Sequence, residues 1–176
     1  MAGKNQIPER LINSRVYNDG NDLLGLANVE LPEIASLVEE IAGIGIAGKV
    51  ETPTLGHFEA METKLAWNTI TEDGMKLCAQ KSHPIEVRGS QQVYDAASGN
   101  YETVAVRVSM KVSPKTTTLG TFEPGATTGT EQTFSVTYLK VVIDGKTVAE
   151  IDPFNFVAKF GNEDLLAKVR KDLGLS

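Results

Sequence analysis

Thr137-Tyr-Leu-Lys-Val-Val-Ile-Asp-Gly-Lys-Thr-Val-Ala-Glu-Ile-Asp152 reads as a strand, a two-residue turn and a returning strand. Asp144-Gly145 sits between two β-branched runs. A two-residue turn there needs positive φ at both central positions, which Asp and Gly tolerate best. The stretch therefore predicts an antiparallel hairpin, and with it a chain of mainly β class.

Working outward, the same signature recurs. Val104, Val106, Val108, Met110 and Val112 alternate with Ala105, Arg107, Ser109 and Lys111, the cleanest period-two run in the chain. Met61, Leu65 and Trp67 share one side of an alternating stretch over 57–69. Pro84 to Tyr94 is a further strand candidate, followed by a turn cluster at 95–100. Arg15 to Gly20 reads as a short strand ending in turn formers, with 23–31 as its return strand and 1–14 as a loose start.

Two helices are predicted. Thr71 is an N-cap candidate for a short helix near 71–79, with acids in its first turn. Asn162 caps, and Gly174 stops, a C-terminal helix near 162–173. Over 32–41 two patterns compete. Ile34, Leu37, Val38 and Ile41 fit helical spacing after Pro32, yet the resemblance given below implies a strand. The expected sum is one domain over 1–176, an antiparallel β-barrel or sandwich with two helices.

Composition excludes several classes. The chain has 176 residues and a formal net charge of −6, with the acid spread rather than blocked. A protein that grips phosphates is expected to show a basic stripe, and none is visible along the sequence. No apolar run approaches the roughly 20 residues of a spanning helix. The N-terminus lacks the apolar core of a signal peptide. Cys78 stands alone, which fits a reducing compartment.

The chemical motifs resolve into ordinary structure. Gly43-x-Gly45-x-x-Gly48 matches the dinucleotide fingerprint, but Lys49-Val-Glu-Thr-Pro53 follows where a helix would have to begin. The glycines read instead as a hairpin tip. His57, Cys78 and His83 lack zinc spacing and a fourth soft ligand. Cys78 reads as a small buried apolar residue of the short helix. No Gly-x-Ser-x-Gly elbow occurs, and no carboxylate pair is singled out. No catalytic, metal or cofactor site is expected. Lys115 to Glu131, rich in Thr and Gly, is either a surface excursion or an arm that orders against a neighbouring subunit.

Taken in order, Leu31-Pro-Glu33, Gly43-Ile-Gly-Ile-Ala-Gly48, Glu102-Thr-Val-Ala-Val-Arg-Val-Ser-Met110, Thr137 to Lys146, Glu150-Ile-Asp152 and Asp172-Leu-Gly-Leu175 resemble the major tail tube protein of contractile-tailed bacteriophages, with related tubes in R-type bacteriocins. The resemblance runs from about Leu11 to Leu175. It implies a barrel-like protomer flanked by helix, six-membered rings, and stacking of rings into a hollow tube within a contractile sheath. It implies a virion tail or bacteriocin particle as the location, assembled in the host cytoplasm, and no enzymatic role.

The implied partners are further copies of the chain, tail sheath protein, tape measure protein, a baseplate or tube initiator, a tail terminator, DNA passing without specific binding, and indirectly the target-cell envelope. Residues 32–53 would form a long hairpin lining the bore and joining rings. Its candidate residues are Glu33, Glu39, Glu40, Gly43, Gly45, Gly48, Lys49 and Glu51. The arm at 115–131 would offer Thr116, Thr117, Thr118, Phe122, Thr127 and Thr128 to a neighbour. Relatives often carry basic residues after Leu-Pro, where this chain has Glu33. Alternatives are the inner tube of an R-type bacteriocin or type VI secretion-like injector, or a small β-barrel that binds a ligand at its 43–48 loop.

Overall fold

A computed structural model describes residues 5–175. In chain order the strands are β1 (Gln6–Asn18), β2 (Asn21–Asp22), β3 (Leu26–Glu30), β4 (Ser36–Ile41), β5 (Val50–Phe58) and β6 (Met61–Trp67). After helix α1 (Glu72–Lys76) come β7 (His83–Asp95), β8 (Asn100–Thr118), β9 (Thr130–Ile143) and β10 (Lys146–Asp152). A 3-10 turn (Pro153–Asn155), β11 (Val157–Phe160), β12 (Glu163–Asp164) and α2 (Ala167–Asp172) complete the chain.

The hairpin read from the sequence is present as β9 and β10. Asp144 and Gly145 have φ of +47° and +75°, and Ile143 faces Lys146 across the turn. The principal sheet is antiparallel, in the order β12-β11-β10-β9-β8-β7-β1-β2. It also branches. The N-terminal half of β9 pairs with β6, which pairs with β3, while its C-terminal half pairs with β10. Irregular register between β8 and β9, at Lys111/Val112 and Pro114/Thr116, lets both long strands curl. The two limbs thereby close over one core of Val16, Leu65, Trp67, Ile85, Met110, Phe134, Leu139 and Ile151. Val108, Met110 and Val112 all face that core, so the period-two run reads correctly.

Of the two patterns that compete over 32–41, the structure takes the strand that the resemblance implies, β4: Val38 to Ile41 pair with Pro53 to Val50. Ile34, Val38 and Ile41 remain exposed, so a helix there would have no surface to bury its apolar stripe, and short helices are marginal without one. Of the expected loose start, residues 6–14 belong to β1, paired to β7, while 1–4 lie outside the described residues. The return strand of β1 is only the two residues of β2. Leu23 turns into the core, and β3 runs instead beside β6.

The C-terminal helix is confined to Ala167–Asp172. Asn162 does not cap it, because Glu163 and Asp164 pair with Phe160 and Lys159 as β12. The first helix is as expected: the Thr71 hydroxyl accepts from the Gly74 amide at 3.0 Å. Cys78 lies just beyond that helix, half-buried, with its sulfur against polar groups rather than in an apolar pocket.

Candidate functional site

β4 and β5 form a two-stranded sheet of their own. Alternation along β4 sends Glu39 and Glu40 to opposite faces. Glu39 faces Thr52 across the ladder, and Glu40 faces Glu51. Two carboxylates directly opposite repel. Lys49 relieves one of them through an ion pair with Glu40 at 2.7 Å, on exposed side chains where such a pair contributes little. Glu33 lies in the exposed segment that leads into β4. Gly43, Gly45 and Gly48 lie in the 42–49 tip, which is exposed throughout. Ile44 at the tip is fully exposed, and Val38, Ile41, Ile46 and Val50 are half-exposed. An apolar hairpin standing in solvent is an interaction surface by default.

The base of this hairpin is fastened to the body. Four residues of β5, 54 to 57, stand opposite the single Leu37 in the irregular register between Ser36/Phe58 and Val38/Pro53. Gly56 lies in that bulge at φ +67°, where any side chain would run into the buried Leu166. Phe58 meets Phe160 of β11 with ring centroids 5.8 Å apart. Leu166 is held in turn by a clamp. Arg170 donates to both carboxylate oxygens of Asp164, at 2.6 and 3.2 Å, and to the Phe156 carbonyl at 2.7 Å. The Leu166 amide donates to Asp164 Oδ1. The Arg170 guanidinium holds the Asp164 carboxyl below its ordinary range.

The Thr-rich segment divides. Thr116, Thr117 and Thr118 are strand residues of β8, not part of a free arm. Thr117 turns inward, 3.3 Å from Cys78 Sγ and 3.4 Å from Gln132 Nε2. Buried Gln132 organises this cluster. It accepts from Trp67 Nε1 at 2.9 Å and donates to the Gly74 carbonyl at 2.9 Å. The connection between β8 and β9 is stitched by Thr121 N to Thr128 O and Thr128 N to Asn68 O, both 2.9 Å. Thr127 is exposed, and Phe122 projects from the loop at 83% exposure.

The structure adds what the sequence did not single out. Among the described residues, β2 covers only Tyr17 and Asn18 of β1, the Leu23 amide takes the Val16 carbonyl, and the rest of that long edge, Gln6 to Arg15, pairs with no strand on that side. The outer edge of β3 is likewise free. Pro8 within β1 is the kind of residue an edge strand tolerates. Gly56 was also passed over, although an isolated glycine in a strand pattern is a known sign of a bulge.

The profile of the family described as Phage tail tube protein FII matches residues 8–174. The tail tube protein of Escherichia phage P2 is 28% identical, with 96% of this chain and 99% of that one covered. A chain from an extracellular contractile injection system, the PVC sheath/tube terminator in its extended state, superposes with a TM-score of 0.55 at 15% identity, covering 77% of this chain and 96% of that one. The PVC sheath-tube complex of the same kind of system gives 0.49 at 14% identity, over 77% and 90%.

Proposed function

This chain belongs to the phage tail tube protein FII family, and we propose that its copies close head-to-tail into six-membered rings that stack as a hollow tube. Family membership makes it a structural tail component and not an enzyme. In the proposed assembly the tube lies inside a contractile sheath. It is started by a baseplate initiator, measured by a tape protein and closed by a terminator. Its bore conducts DNA, or in a bacteriocin-like or type VI-like relative the tube itself is driven into the target envelope.

The observation that carries this reading is the unpaired edge of β1. A long free strand edge invites another strand and is normally an aggregation hazard. A head-to-tail contact uses two different surfaces and ends in a ring only if its rotation closes. The free edge of β1 is one such surface, and the β4–β5 hairpin, in a sheet of its own, is another. Six copies at −6 each carry −36 formal charges per ring. This repulsion is screened beyond a Debye length of about 8 Å in physiological salt. It keeps unassembled chains apart, so apolar burial and strand pairing have to drive the assembly. The hairpin of β4 and β5 supplies the apolar surface, and Phe122 extends the contact from the β8–β9 loop.

Negative-stain microscopy of concentrated protein, seeded with its natural end-piece, is expected to show rings and hollow rods. A field of single particles, or a permanent closed dimer in sedimentation, overturns the proposal.

A further inference from the structure

The outer face of the principal sheet carries a row of like charge that the linear sequence hides. Arg15 of β1 faces Arg88 of β7, which faces Arg107 of β8. Alternation places all three on the side away from the core, and each is more than half exposed. Lys140 follows in the next row, between Ser109 and the carboxylate of Glu150 on the facing strands, so the uncompensated charge is that of the arginines. The surface there is concave, with a site of about 470 Å³ lined by Arg88, Arg107 and Lys140.

Local compensation is thin. Arg15 pairs with Asp22 at 2.6 Å. One carboxylate, Glu86, serves both Arg88 and Arg107, the latter at 3.9 Å. The Arg88 guanidinium also lies 4.6 Å from the Tyr17 ring centroid. Like charges on directly facing strands are unfavourable, so the row is under repulsion in the lone subunit.

The β4–β5 hairpin has the opposite defect. Between 33 and 59 there are five glutamates and one lysine, and Glu40 faces Glu51 directly. Within one chain the two surfaces do not meet. Among the described residues no ion pair joins them, and the hairpin base is fastened at Phe160 and Leu166, against the other end of the sheet.

We propose that the Arg15–Arg88–Arg107 row is a docking site for the acidic β4–β5 hairpin of a second copy, with Glu40 and Glu51 supplying the carboxylates. This rests on the tube reading and names one of its contacts. Each like-charged pair gains opposite charges, and the apolar residues of the hairpin are covered in the same contact. Guanidinium groups suit this role because they bind carboxylates in a fixed two-pronged geometry. A nucleic acid phosphate would match the row equally in charge. The hairpin is favoured because the chain itself carries it, acidic, apolar and uncovered.

The test is a charge swap. The critical concentration for sedimentable polymer is measured for the unaltered chain, R88E/R107E, E40R/E51R and the four-fold combination. R88Q/R107Q is a milder variant, and circular dichroism verifies folding of each. Each single-surface reversal is expected to raise the critical concentration about 10-fold or more, equivalent to about 1.4 kcal/mol. The four-fold swap is expected to restore it to within about 3-fold.

Unmoved values for the folded reversals, or a four-fold variant no better than its worse parent, overturn the pairing and leave the tube reading standing. If R88Q/R107Q lose binding of a fluorescent oligothymidylate while polymerising normally, the row belongs to nucleic acid and the pairing is overturned. Absence of polymer from the unaltered chain overturns both.

Discussion

Replacing Gly56 with alanine tests how the hairpin is fixed to the body. A Cβ built there lies 2.5 Å from both Cγ and Cδ2 of Leu166 and 3.0 Å from Cδ1. Leu166 is 3% exposed, so its side chain has nowhere to retreat. Two costs combine. Positive φ in a non-glycine residue costs about 1–2 kcal/mol, and forcing a methyl into a packed site costs about 1–3 kcal/mol. The expected destabilisation is about 2–5 kcal/mol, a large part of the roughly 5–15 kcal/mol typical of a domain. In urea, with a slope near 2 kcal/mol/M, the midpoint should fall by about 1–2.5 M. Trp67, the single tryptophan and buried, is a fluorescent reporter of the transition.

A double-mutant cycle separates the two costs. Leu166→Ala alone should cost about 2–5 kcal/mol through the cavity it leaves. In the double variant the collision is gone, so the pair should fall short of additivity by about 1–3 kcal/mol. A Gly56→Ala change below about 0.5 kcal/mol, together with an additive cycle, refutes the reasoning.

Three further outcomes are expected. Gln132→Leu leaves buried Trp67 Nε1 without its acceptor, while the Gly74 carbonyl keeps the Leu77 amide; at about 1–3 kcal/mol for one buried unsatisfied group, stability should drop by about that amount in the same urea assay. The Asp164 carboxyl is held below its ordinary value of 3.8 by Arg170, so its contribution is complete above that pH and lost as pH falls through the depressed folded value. Asp164→Asn should therefore flatten the acid limb of stability below pH 3.8, and an unchanged limb counts against the clamp. Gly45 has φ +93° with open space around it, so Gly45→Val should strain only the tip, by about 1–3 kcal/mol. Under the proposed assembly the variant stays folded by circular dichroism while ring and rod formation fails in micrographs; normal rods would remove the tip from the contact.

Much of the architecture was written locally. Asp144-Gly145 demanded its turn because few residue pairs accept two positive φ values. Thr71 capped α1 because its hydroxyl sits one turn from the Gly74 amide. The alternation from Val104 to Val112 needed only the two-residue period of a strand. The ordered motifs from Leu31 to Leu175 were enough to point to the tail tube family, since order and spacing survive where single residues vary.

Tertiary structure alone decided what depends on partners distant along the chain. The apolar spacing over 32–41 suits a helix, and it became β4 because β5 offered a ladder and no surface offered cover for a helical face. Asn162 had the chemistry of a cap, but β12 claimed the residues after it. Arg15, Arg88 and Arg107 are scattered in sequence, and only cross-strand register brings them into one row. Turns and caps are settled by neighbours a few residues away, so they can be read from the chain. Register is settled by which strands meet and where their bulges fall, so charge and contact across a sheet exist only once the sheet has formed.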